Sequence, residues 1–162
     1  MSVKIKVQGD AELIRNLDRL PKKPYRAAVR NGLSKGASVM NKAAKAAVPG
    51  SLEIEVRDKS GEVRTVDIAK DLKQSIGHKS KSYSKDNNFI RVVGPRFAFV
   101  GKQTGLRPSK YADDIEYGTA EVSPRPFMRK AFESHKMQTL NRVAQGIREG
   151  IAKQVAKMRV GK

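Results

Sequence analysis

Hydrophobic and polar positions alternate at the start of the chain, where Val3, Ile5 and Val7 are separated by Lys4, Lys6 and Gln8. A period of two marks a half-buried strand and predicts one over residues 2–8. Gly9 breaks the alternation, and Asp10 is placed to cap a short helix with Leu13, Leu17 and Leu20 on one face. After Pro21 the spacing changes to a helical one. Tyr25, Val29, Leu33, Val39 or Met40, Ala43 and Ala47 recur at three and four residues, predicting a long helix from about Pro24 to Ala47. Gly32, Gly36 and a run of alanines thin its surface, which lowers helix propensity but lets a sheet or a second helix approach closely.

"VPGS" ends that helix, and the period of two returns. Leu52, Ile54 and Val56 alternate with acids, "DKSG" supplies a turn, and Val63–Ile68 runs back, so residues 52–68 read as a β-hairpin. "KDLKQSIGH" reads as a short helical or extended connector. The polar stretch Lys79–Asn88 reads as a mobile loop. Three short strands are expected next, at "FIRVV", "FAFVG" and "YADDIEYG". From Pro126 a second long helix runs nearly to the end, with Phe127, Ala131, Leu140, Val143 or Ala144, Ile147, Ile151, Val155 and Met158 near helical spacing; residues 159–162 read as a flexible tail. The fold class predicted is α+β, a single domain over 1–162. A small antiparallel sheet is packed by a long helix from the N-terminal half and a long C-terminal helix.

Charge changes the picture more than composition does. The 162 residues carry 34 Lys and Arg against 16 Asp and Glu, a formal net of +18. Residues 1–48 and 124–162 each hold +8, and the middle of the chain only +2. The basicity therefore rides on the two long helices, which points to a polyanion partner. A merely soluble surface is the alternative. No apolar run approaches a membrane span, the first residues lack the apolar core of a secretory signal, and there is no cysteine for a disulfide or thiolate metal site. The expectation is a cytoplasmic, membrane-free chain without a cofactor.

Candidate chemistry is sparse. The two histidines, His78 and His135, have no metal-ligand spacing, and no GxSxG, Walker or GxGxxG motif occurs. Asp113, Asp114 and Glu116 form the one acidic cluster. On a strand, Asp114 and Glu116 would share a face and Asp113 would point to the other with Ile115, a poor magnesium site. The chain is not expected to be an enzyme. Nor does it show a zinc finger, an aromatic RNA-reading pair or a compact helix-turn-helix, so nucleic-acid contact would be independent of sequence.

The segment "YADDIEYGTAEVSPRPFMRKAF", Tyr111–Phe132, adds a glycine turn and two prolines one residue apart. Pro124 and Pro126 each fix a backbone dihedral, and Pro126 suits a helix's first turn. The expected construction is a strand, a rigid corner and a helix. An ordinary junction and an assembly part are equally served by it.

These residues resemble the hallmark of the tail-completion or neck family of tailed bacteriophages named after gene product ten of the lambdoid phage Hong Kong 97. The resemblance rests on Tyr111, Ala112, Glu116, Tyr117, Gly118, Thr119, Pro124, Pro126, Phe127, Ala131 and Phe132. Weaker echoes lie in "LIRNLDRLPKK", in the alanine-rich helix and in "DLKQSIGH", where Ala69, Lys70 or Asp71 stands in place of a common glycine. The hairpin over 52–68 looks like an insertion relative to shorter members. The resemblance implies a virion structural protein of the head–tail junction, assembled in the host bacterial cytoplasm. It would form a homo-oligomeric ring, six-fold favoured and twelve-fold the alternative, around the DNA path. Its partners would be itself, neighbouring neck and tail proteins and, non-specifically, the passing double-stranded DNA, with no membrane.

On that reading Tyr111, Glu116, Tyr117, Gly118, Thr119, Pro124, Pro126, Phe127 and Phe132 serve subunit packing. Glu116 would meet a neighbouring subunit or a local Arg, and Tyr117 and Phe127 would pack between sheet and helix. Lys35, Lys42, Lys45, Arg142, Arg148 and Lys153 are the candidate DNA-path residues. A sequence-independent nucleic-acid-binding protein is the alternative function.

Overall fold

In the computed structural model the chain is described over residues 10–18, 21–57, 60–83 and 88–160. The strand expected over 2–8 and the tip of the "DKSG" turn lie outside those residues. The elements in order are α1 (Asp10–Asp18), α2 (Lys22–Ala47), β1 (Glu53–Arg57), β2 (Val63–Asp67), α3 (Ala69–Ser75), β3 (Ile76–Tyr83), β4 (Asn88–Pro95), α4 (Pro108–Tyr117) and α5 (Phe127–Val160). The class is α+β: two antiparallel ribbons of two strands, β1–β2 and β3–β4, packed against the long helices α2 and α5. The single sheet expected from the pattern is thus two separate ribbons. In the first, Glu53 lies opposite Asp67 and Arg57 opposite Val63.

The chain divides into two compact units. The first comprises residues 1–39, 80–91 and 136–162, the second 40–79 and 92–135, so α2 and α5 each contribute to both. The second unit holds the main hydrophobic cluster. Ala43, Ala44 and Val48 from the end of α2 meet Leu52, Ile68, Leu72 and Ile76, with Ala112 and Ile115 of α4 and Phe127 and Ala131 of α5. Helix α3, only seven residues long, is held at both ends by charge of the favourable sign. At its start the Asp67 carboxylate accepts the Ala69 N–H at 2.9 Å and the Leu52 N–H at 3.0 Å. At its end the Arg96 side chain donates to the carbonyls of Ser75 and Gln74 at 3.2 and 3.1 Å. The connector left as helical or extended is thus a helix through Ser75 and a strand from Ile76 onward.

The first unit is built on an antiparallel seam between the first half of α2 and the second half of α5. Its register is read from the glycines. A Cβ on Gly32 would stand 2.7 Å from the Val143 carbonyl, one on Gly146 2.8 Å from the Gly32 Cα, and one on Gly150 2.8 Å from the Ala28 Cα. The Asn31 amide crosses the seam to the Gly146 carbonyl at 2.6 Å. The thinned face of α2 therefore admits a helix. Over the first half of α2 the face assigned from hydrophobic spacing is shifted, since Ala28, Gly32, Gly36 and Ala37 are buried and Tyr25, Val29 and Leu33 half-buried; over the second half Ala43 is buried and Met40 and Ala47 pack against the core as expected. Backbones this close leave room only for residues with little or no side chain.

Three further expectations are corrected. Residues 79–83 and 88 belong to β3 and β4 rather than to a loop, because each strand supplies the other's backbone partners. "FAFVG" forms a turn, not a strand. Phe97 is exposed, and the backbone of the following loop is claimed by the buried Asp71 carboxylate, which accepts the Thr104 N–H at 3.0 Å and the Thr104 hydroxyl at 2.8 Å. Helix α5 continues through Val160, into the residues read as a tail.

Candidate functional site

The acidic segment is helix α4, not a strand. Pro108 opens it, where a missing N–H costs nothing, and Gly118 closes it at φ 78°. Pro108, Ala112, Ile115 and Glu116 are its buried residues, one helical stripe in which the last position is a carboxylate. Asp113 and Asp114 are exposed, so the acidic cluster is divided by helical geometry. Among the described residues no group of three or more His, Asp or Glu side chains could hold a metal ion.

Glu116 is 7% exposed, and its position explains why a charge is buried there. Its Oε2 accepts the Met128 N–H at 2.8 Å, and its Oε1 accepts the Arg129 N–H at 2.9 Å. These are otherwise unpaired donors of the first turn of α5, at the positive end of a 34-residue helix. The sequence reading gave Glu116 a neighbouring subunit or an arginine; within the chain its partners are the two backbone donors of α5.

The eight-residue corner between α4 and Pro126 is tied at each step. The Gly118 N–H donates to the Asp114 carbonyl at 2.8 Å, the Thr119 N–H to the Val122 carbonyl at 2.9 Å, and the Arg125 N–H to the Ile115 carbonyl at 2.7 Å. The Thr119 hydroxyl accepts from Glu121 and Val122 at 3.2 and 3.1 Å. Gly118 is required twice over. Its φ lies in the left-handed region, and a Cβ there would meet the Pro124 nitrogen at 2.9 Å. Phe127, 1% exposed, plugs the start of α5 into the core. The rigid corner is therefore present, but it joins helix to helix.

The remaining motif residues divide into buried and exposed. Tyr111 packs against the core, and burial, with the Asp71 carboxylate adding to it, pushes its phenol up to about 12. Pro126 is half-buried and Pro124 exposed. Tyr117 is 67% exposed and Phe132 49%, which corrects the expectation that Tyr117 packs between sheet and helix. At the end of α4 its ring projects away from the stripe formed by Ala112, Ile115 and Glu116. With Val122 these rings leave large apolar side chains on the surface of the second unit.

The candidate DNA-path residues are not one group. Lys35 and Arg142 both pair with Glu149, the latter at 3.4 Å, inside the first unit. Arg148 and Lys153 belong to that unit too, both exposed. Lys42, exposed, and Lys45, half-buried, lie in the second. By sequence the first unit holds 19 Lys and Arg against 5 Asp and Glu, and the second 15 against 11. The first unit thus carries +14 and the second +4, so the excess of positive charge lies mainly in the first unit. Comparison with known proteins gave no match to a family, to a curated protein or to a solved structure.

Proposed function

We propose that this chain is a structural subunit of the head–tail junction of a long-tailed bacteriophage, forming a ring around the DNA path and joining or completing the tail. The observation that carries the reading is the corner. The positions by which the sequence resembles the neck family include those whose side chains and backbone lock α5 to α4: Glu116 on two helix donors, Gly118 at positive φ, and Phe127 buried. A subunit that meets identical neighbours head to tail must present one geometry repeatedly, and a corner tied at this density supports that. Tyr117, Val122 and Phe132, beside the corner and exposed, are suited to burial against the next copy.

The alternative, a sequence-independent nucleic-acid-binding protein, is favoured by one observation, the concentration of positive charge in the first unit. Native mass spectrometry with negative-stain imaging at moderate salt tests the two. A closed six-fold or twelve-fold ring with a lumen of at least about 20 Å, wide enough for a duplex, supports the neck reading. A monomer or dimer that binds duplex DNA tightly, and does not close into rings on purified tails or heads, overturns it.

A further inference from the structure

We infer that one end of the α2–α5 helix pair is a docking surface for the phosphate backbone of double-stranded nucleic acid. The inference deepens the DNA contact of the proposed function and rests on that reading for its biological setting alone. The seam sets the geometry. Gly146 lies against Gly32 and Gly150 against Ala28, so the helices run antiparallel and the last turns of α5 lie beside the first turns of α2. At a rise of about 1.5 Å per residue, Lys153 and Lys157 come level with the turns that carry Lys22, Lys23 and Arg26. All five are exposed, as is Arg30 one turn further along. Lys22, Arg26 and Arg30 recur every four residues and form a stripe on the side of α2 away from the Ala28–Gly32–Gly36 seam.

Acids are sparse in the sequences of the two helices. The sequence has none between Asp18 and Glu53, and Glu149 is the sole acid from residue 134 onward. Glu149 is engaged by Lys35 and Arg142, further along the seam from Lys22, Lys23, Lys153 and Lys157. The first turn of α2 also contains no acid to offset the positive pole of the helix. Two helices side by side present a surface about 20 Å broad, comparable with a duplex.

A duplex is favoured over a single strand by the aromatics. Binding of single strands relies on exposed rings on which bases stack. Of the first unit's rings whose burial is described, Tyr25 is half-buried and Phe89 lies half-buried under Arg30, 5.6 Å from its guanidinium; the rings described as exposed, Phe97, Tyr117 and Phe132, belong to the second unit.

The test is fluorescence anisotropy of the full chain with a labelled 20-base-pair duplex of arbitrary sequence, read from 50 to 200 mM salt. About five phosphate contacts give a log–log salt slope near −4.5, or about a 500-fold loss across that range. Replacing Lys22, Lys23, Lys153 and Lys157 together by Gln should flatten the slope by roughly 3 to 4. Replacing Lys42 and Lys45 by Gln should change affinity less than about threefold, since those lie in the other unit. Circular dichroism and thermal unfolding confirm that each variant is folded, exposed helical Lys→Gln being mild.

The inference is overturned if the wild-type chain shows no binding at 50 mM salt, or if the quadruple variant keeps the wild-type slope. It is equally overturned if a single strand of the same length binds as tightly as the duplex, or if vesicles rich in phosphatidylserine are bound and the duplex is not. Oligomeric mass measured on the same samples keeps this result separate from the ring: loss of the slope in a chain that closes rings refutes the surface alone, and a normal slope in a chain that never closes refutes the ring alone.

Discussion

Replacing Glu116 by Ala removes the two acceptors that hold the first turn of α5. Both bonds are short, at 2.8 and 2.9 Å, both are charge-assisted, and the carboxylate that makes them is 7% exposed. Loss of a helix N-cap costs about 0.5–2 kcal/mol, and a hydrogen bond to a charged group contributes about 1.5–3 kcal/mol. The two donors at a helix terminus regain water in part, so the sum of the bonds overstates the loss. An expected cost is about 2–4 kcal/mol. Glu116→Gln keeps one acceptor oxygen and gives up the charge opposite the helix dipole, for about 1–2 kcal/mol.

Urea denaturation followed by circular dichroism reads both variants. The midpoints should fall in the order wild type, Gln, Ala with an unchanged slope against urea, which reports stability rather than a remodelled denatured state. An Ala variant within about 0.5 kcal/mol of wild type would refute the capping argument. So would a variant of normal stability that fails only to assemble, the result expected had Glu116 faced a neighbouring subunit.

Three more outcomes follow from the structure. Phe127→Ala should lose about 3–5 kcal/mol by the same urea assay, the cost of emptying a fully buried aromatic site; a loss below about 1 kcal/mol would place the ring outside the core. Gly32→Ala should destabilise by about 1–2 kcal/mol even though alanine improves helix propensity by about 1 kcal/mol, because its Cβ would stand 2.7 Å from a backbone carbonyl of α5; a raised melting temperature would refute the seam's register. Asp67 has a carboxyl held below its ordinary value by the N–H bonds of Ala69 and then Leu52. Its contribution is therefore present above the ordinary value of 3.8 and is lost as pH falls through the lower folded-state value. The gap in urea midpoint between wild type and Asp67→Asn should narrow from pH 5 to pH 2.5, and a gap constant over that window would contradict the assignment.

How legible these features were depended on whether a residue's neighbours lay close in sequence. α2 and α5 announced themselves through length, helical spacing and a proline at or near the start, and the hairpin through alternation around a turn. α4 was misread because one position of its buried stripe is Glu116, and a buried acid looks like a surface residue until the donors it serves are known. Met128 and Arg129 lie 12 and 13 positions away. A signal did exist in Pro108 and Gly118, the proline just inside a helix start and the glycine just past its end. The exposure of Tyr117 follows from the same error, since strand and helix assign opposite directions to that side chain. Likewise, nothing near Lys35 in sequence reveals Glu149 as its partner, 114 positions on.

The glycine seam also bears on the order in which the chain folds. Asn31 and Gly146 meet across 115 positions, and closing so long a loop early carries a large entropic cost. The core of the second unit offers a cheaper route. It gathers Ala43 and Ala44 near the end of α2 with Phe127 and Ala131 near the start of α5, so its formation draws the two helices together before the seam closes. During synthesis α5 leaves the ribosome after the other described elements, and the matching face of α2 waits for it. That face is made of Ala28, Gly32 and Gly36, which expose little apolar area while they wait, so a contact spanning 115 positions rests on a face that offers little to a wrong partner.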